Sequence, residues 1–191
     1  MLRVMLVDNH LERTAPLKET LSEAGYEVIA HLSDTANLDD AVRKLQPDVV
    51  IIDTDSPSRD TLEHICVMSA NTPKPILMCT HDGNTDKIRE ATKAGVSAYI
   101  VGGLTNERLK PIMDAAIARF DEFKALRHEL HEVNSKLAER KVIEKAKGLL
   151  MKQRGIDEDE AYRLLRNMAM NQNIRLATLA EQVVQAAKLL L

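Results

Sequence analysis

Five short apolar runs, at 2–7, 27–30, 49–52, 76–79 and 98–101, alternate with amphipathic stretches near 11–24, 36–45, 58–70 and 84–94. Unbroken Val/Ile/Leu runs suit strands buried on both faces, and amphipathic helices between them provide the crossovers that parallel neighbours need. The pattern predicts an α/β domain over 1–104 with a five-stranded parallel sheet, its last helix beginning near 105. Asp8 closes the first run and Asp53 the third, so both carboxylates are expected at strand carboxyl ends, where such sheets gather ligands. Thr80 closes the fourth run and Tyr99 lies in the fifth.

The chain has 191 residues, enough for one ordinary domain and a smaller appendage. Hydrophobic residues make up 45%, but aromatics only 3%, so the core is expected to be aliphatic side chains and Met. A net charge of −3 conceals an asymmetry. Residues 137–191 hold ten Lys and Arg against seven Asp and Glu, leaving sixteen against twenty-two for the rest. A mildly basic tail behind an acidic front fits a tail that meets nucleic acid. Cys66 and Cys79 lack metal-ligand spacing and read as buried reduced thiols. His128 and His131 sit on a charged helical stretch and read as solvated. The N-terminal run is too short for a signal peptide, and no run reaches membrane length, so a cytoplasmic protein without a membrane partner is expected.

From 105 to 136 a second periodicity takes over. Leu109, Ala116, Phe123, Leu130 and Leu137 recur every seven residues, with Ile112, Leu126 and Val133 between them. This seam predicts a coiled-coil linker that continues the front domain's last helix and makes a homodimer through Leu109, Ala116, Phe123, Leu126, Leu130, Val133 and Leu137. Two linked binding heads would gain avidity.

Two further helices follow, joined at Arg154-Gly155. In the first, Ile143, Ala146, Leu149 and Leu150 can face a core, leaving Arg140, Lys141, Lys145, Lys147 and Lys152 outside. In the second, Asp157 and Glu160 form a capping-box start, with Ala161, Leu164, Leu165 and Met168 inward. Its other face carries Tyr162, Arg163, Arg166, Ala169 and Met170. Cations hold phosphates and an aromatic ring stacks a splayed base, so this surface suits RNA, while charge alone favours a solvated basic helix pair.

The runs RKVIEKAKGLLM and EAYRLLRNMAM resemble the ANTAR domain, the RNA-binding module of the AmiR/NasR antitermination regulators, over 137–191 with a third helix near 175–190. The resemblance implies binding to stem-loops of nascent leader mRNA, which prevents termination. The front domain resembles the flavodoxin-like receiver of two-component response regulators. There the Asp53 position accepts a phosphoryl group, carboxylates after the first strand hold Mg²⁺, the Thr80 position bonds the phosphoryl oxygen and the Tyr99 position turns with it. Two departures stand out. Asn9 replaces the second acid, and Gly102-Gly103 replace the expected Lys-Pro. The receiver is therefore read as a degenerate docking platform, with at most weak Mg²⁺ at Asp8 and Asp53 and no other cofactor.

Among ANTAR proteins this combination resembles the NasT-type regulators of nitrate and nitrite assimilation, which implies a NasS-like sensor partner. No catalytic activity and no DNA target are expected. Two alternatives remain: a phosphorylation-dependent response regulator and a DNA-binding one. A DNA reader would carry its cations on a late helix, yet 176–191 has only Lys188.

Overall fold

The computed structural model describes the backbone of residues 1–8 and 11–189 and the side chains of residues 1–8 and 15–187. It divides into two units, Met1–Lys124 and Ala125–Leu191. The first is built from β1 (Arg3–Asp8), α1 (Leu11–Glu23), β2 (Glu27–Leu32), α2 (Leu38–Leu45), β3 (Val49–Asp53), α3 (Arg59–Asn71), β4 (Ile76–Thr80), α4 (Thr85–Ala94) and β5 (Ala98–Val101). The start of α5 (Asn106–Arg154) completes it.

All strand pairs are parallel, in the order β2-β1-β3-β4-β5. Alternate strand residues serve opposite layers, as the two-residue pleat requires. Val4, Leu6, Val49, Ile51, Leu77 and Cys79 pack with Leu21 of α1 and with Leu109, Met113 and Ala116 of α5. Met5, Val7, Val50, Ile52, Ile76 and Met78 pack with residues of α2, α3 and α4. Each fully buried Val, Ile, Leu or Met contributes about 1.5–3 kcal/mol, which explains why so aliphatic a chain holds this sheet. The expected receiver architecture is the observed one. Of the two thiols, Cys79 is buried but Cys66 is exposed on α3, contrary to its apolar sequence context.

In the second unit, α5 ends at Arg154, and Gly155 takes the left-handed backbone (φ +66°) with its N–H donating to Met151 O at 2.9 Å. Helix α6 (Glu158–Asn171) starts with the predicted cap, the Asp157 carboxylate accepting from Glu160 N at 2.8 Å. Such a cap is worth about 1 kcal/mol. Helix α7 (Leu176–Leu189) closes a small core of Ala146, Leu150, Ala161, Leu165, Ala169, Leu179, Ala180 and Val184.

The seven-residue repeat divides along α5. Leu109 and Ala116 are 0% and 1% exposed within the receiver's own core, which removes them from the predicted dimer seam. They face the sheet because the first turns of α5 cover it. Phe123, Leu126, Leu130, Val133 and Leu137 are all exposed.

Candidate functional site

Chemistry-bearing residues gather in two places: the strand ends of the first unit and the helices of the second.

Asp8 and Asp53 are register partners on adjacent parallel strands, so both carboxylates leave the sheet at one edge. This edge is the switch point, where the chain leaves β1 for β2 on one side and β3 takes the other. Asp8 is buried and Asp53 half-buried. Two carboxylates suit a hard cation such as Mg²⁺, with water completing its shell. Among the described residues no cluster of three or more His, Cys, Asp or Glu forms a fuller site, and Asn9 lies outside the described residues. Asp8 and Asp53 are thus the residues that would hold such a cation.

The other pocket residues are engaged with backbone. Thr80 donates its hydroxyl to Asp55 O at 2.7 Å and accepts from Asp82 N at 3.1 Å. The Tyr99 hydroxyl donates to Asp82 O at 2.8 Å, and Ser56 donates to the Asp82 carboxylate at 2.6 Å. That bond from Ser56 holds the Asp82 carboxyl below its usual range. Burial raises the Tyr99 phenol above its ordinary value. Burial also pushes the Cys79 thiol up, with the Asp53 charge adding to it, so this sulfur is no nucleophile at neutral pH. Ser56, Asp55 and Asp82 were not singled out by the sequence; a carboxylate two residues beyond a strand end was the available signal.

After β5, Gly102 and Gly103 have φ of +88° and +86°. Proline, fixed near −65°, is excluded at 103, and a side chain at 102 would be strained. The loop takes a backbone that glycine fits at both positions, and it carries no lysine. A cleft of about 260 Å³ beside Asp53 mixes apolar Pro16, Leu17 and Leu104 with polar Asp53, Thr80 and His81.

The predicted RNA-binding residues part company in the second unit. Arg140, Lys141, Lys145, Tyr162, Arg163, Arg166 and Met170 are exposed. Lys147 is not available as predicted. It is 7% exposed, and its ammonium lies 2.7 Å from both Glu144 and Glu158, tying α5 to the first turn of α6. Bonds to Glu144 and then Glu158 raise its pKa, while Lys147 holds the Glu158 carboxyl low. Ala169 is a second correction: at 4% exposed it belongs to the core, whereas Met170 beside it is 68% exposed. Ala161, Leu165 and Ala169 recur every four residues and so share the buried stripe. Among the described residues, Lys141, Lys145, Arg163 and Arg166 are in no ion pair, in contrast to Lys147. Each helix thus offers an exposed cationic face opposite the shared core.

No helix among the described residues is long and apolar enough to cross a membrane.

Residues 4–114 match the response regulator receiver domain family and residues 131–184 the ANTAR domain family. The transcriptional regulatory protein PdtaR of Mycobacterium tuberculosis is 30% identical over 183 residues, covering 96% of this chain and 89% of PdtaR. A nitrate regulatory protein of Klebsiella oxytoca is 41% identical over 64 residues, covering 30% of this chain and 16% of that protein. Among solved structures, the signal receiver domain of a modulated diguanylate cyclase from Desulfovibrio desulfuricans G20 superposes with a TM-score of 0.56 at 19% identity. That match covers 63% of this chain and 97% of the other, and shows the fold alone.

Proposed function

We infer function from one premise: the chain belongs to the response regulators that join a receiver domain to an ANTAR domain. It acts as a non-catalytic transcription antitermination regulator that binds stem-loops of leader mRNA and so prevents termination. The observation that carries this reading is the set of exposed cations in the ANTAR region, Arg140, Lys141, Lys145, Arg163 and Arg166, beside the exposed ring of Tyr162. Cations take phosphate oxygens and tyrosine stacks an unpaired base, which is how proteins read stem-loop RNA. The likeness of part of the chain to a nitrate regulatory protein supports genes of nitrate and nitrite assimilation as the target; a NasS-like sensor protein is the partner this reading carries with it.

The exposed seam of Phe123, Leu126, Leu130, Val133 and Leu137 supports a homodimer, which gives one regulator two RNA-binding heads. Mg²⁺ at Asp8 and Asp53 binds weakly and is not the main input. A second reading, control by phosphorylation, draws on one observation: Asp8, Asp53 and Thr80 stand together at the strand ends. The glycine loop and the engaged Thr80 and Tyr99 favour the first.

Lys145→Ala and Arg166→Ala are expected to weaken binding of a two-stem-loop leader RNA by on the order of 1–3 kcal/mol each, with helicity retained. Unchanged affinity in both would overturn the site. Leu130→Asp would bury a charge in the seam. In sedimentation it is expected to run as a monomer and to bind two stem-loops far more weakly, while one stem-loop is bound as by wild type. A wild-type monomer at tens of micromolar (on the order of usual in-vitro concentrations) would remove the dimer.

A further inference from the structure

Gly148 lies in the interior of α5, six residues before its end, and is exposed. Glycine weakens a helix relative to alanine, so a mid-helix glycine normally answers a packing need. None is present here. A Cβ built at Gly148 meets nothing within 4 Å, and its φ is not in the left-handed range. The fold would accept alanine there without a clash.

The surroundings of this notch are cationic. At 3.6 residues per turn, Lys141, Lys145, Gly148 and Lys152 fall within about 60° of one another, and Gly148 is about 160° from Ala146 and Leu150, which are buried in the core. Three exposed lysines therefore flank the glycine on the outer face, spread along about 16 Å of helix. Glu144, the sole acid between Arg140 and Asp157 in the sequence, is engaged 2.7 Å from the Lys147 ammonium. Lys147 thereby engages the carboxylate nearest these lysines along α5.

We propose that this face of α5 seats the sugar–phosphate backbone of the stem-loop RNA, with Gly148 as the point of closest approach and Lys152 as a phosphate ligand beside Lys141 and Lys145. The proposal rests on the RNA-binding reading above and assigns two residues to it. A strand laid across the notch brings its phosphates within reach of lysines on both sides, while a side chain at 148 would hold it away.

The test uses the full chain and a 5′-fluorescein RNA of two tandem stem-loops, read by anisotropy over a salt series. Gly148→Ala is expected to raise the thermal midpoint of the helical unit yet weaken RNA binding a few-fold. Gly148→Leu is expected to weaken it by about tenfold or more, a loss comparable to one good phosphate or base contact, with helicity retained. Lys152→Ala is expected to lower the slope of log affinity against log salt by about one. Wild-type affinity in Gly148→Leu, with Lys145→Ala impaired, would overturn this inference and leave the RNA-binding reading standing. Wild-type affinity in Gly148→Leu, Lys145→Ala and Arg166→Ala alike would overturn both. A Gly148→Leu protein that loses RNA because it sediments as a monomer would reassign the notch to contact between two copies, against the proposal.

Discussion

The pocket at the strand ends and the outer faces of α5 and α6 are both polar, but their side chains are committed in opposite ways. In the pocket, Thr80, Tyr99, Ser56 and Asp82 bond to one another or to nearby carbonyls, and two glycines with positive φ close the loop where a lysine was expected. On the helices, Lys141, Lys145, Arg163 and Arg166 are exposed and in no ion pair among the described residues, and one lysine, Lys147, neutralises the acids around it. A surface whose donors already serve the fold is suited to docking. A surface whose cations have no internal partner is suited to a polyanion. Under the proposed function, the contrast accounts for a chain that keeps the receiver fold while its output lies in the helices.

The largest expected effect breaks the helical side of this comparison. Ala169→Arg would force a long cation into the core beside Leu165 and Leu179, costing on the order of 3–5 kcal/mol for an unpaired buried charge. In circular dichroism melts of the full chain, the transition of the helical unit is expected to vanish while that of the receiver stays. An unaltered melt would return Ala169 to the surface.

Gly102→Lys sharpens the other side. It supplies the missing cation on a backbone at φ +88°, where an L side chain costs about 1–2 kcal/mol. The receiver is expected to melt several degrees lower, about 4–8 °C per kcal/mol for a domain of this size, and to gain no phosphorylation from acetyl phosphate. A stable, readily phosphorylated variant would show that the lysine alone was lacking.

The smallest effect concerns Lys147 and Glu158. A lysine held above its ordinary 10.5 adds stability that is complete below that value and fades as pH rises through the folded pKa. A glutamate held below its ordinary 4.5 adds stability that is present above that value and fades as pH falls through the folded pKa. The helical unit should therefore be most stable between these limits. Because Glu144 and Glu158 are largely solvated, the slope is expected to be shallow. Lys147→Met should flatten the fall in thermal midpoint below pH 4.5. A fall as steep as in wild type would mean that this pair does not set it.

The sheet was legible because runs such as Val49–Asp53 have no other place to be than between two helical layers. The turn at Gly155 and the Asp157 cap were equally plain, since both depend on residues close in sequence. What needed three dimensions was the identity of the partner. Leu109 and Leu130 occupy equivalent positions in one seven-residue repeat, yet the first is 0% and the second 61% exposed, because spacing tells which face is apolar and not what covers it. Lys147 looked like its neighbours, and only the fold brings Glu158 to it across the turn. Its long aliphatic stem can lie buried while the ammonium finds its acids. Ala169 misled because a methyl group carries too little hydrophobic signal to mark a core position, although its four-residue spacing from Leu165 pointed inward.

In the proposed function, RNA affinity resides in the C-terminal helices and does not pass through Asp53. Binding of the two-stem-loop leader RNA, measured by anisotropy in Mg²⁺ with and without acetyl phosphate, for wild type and Asp53→Ala, tests it most directly. Four indistinguishable affinities are expected. A marked tightening of wild type by acetyl phosphate that Asp53→Ala abolishes would contradict it and make the receiver a phosphorylation switch.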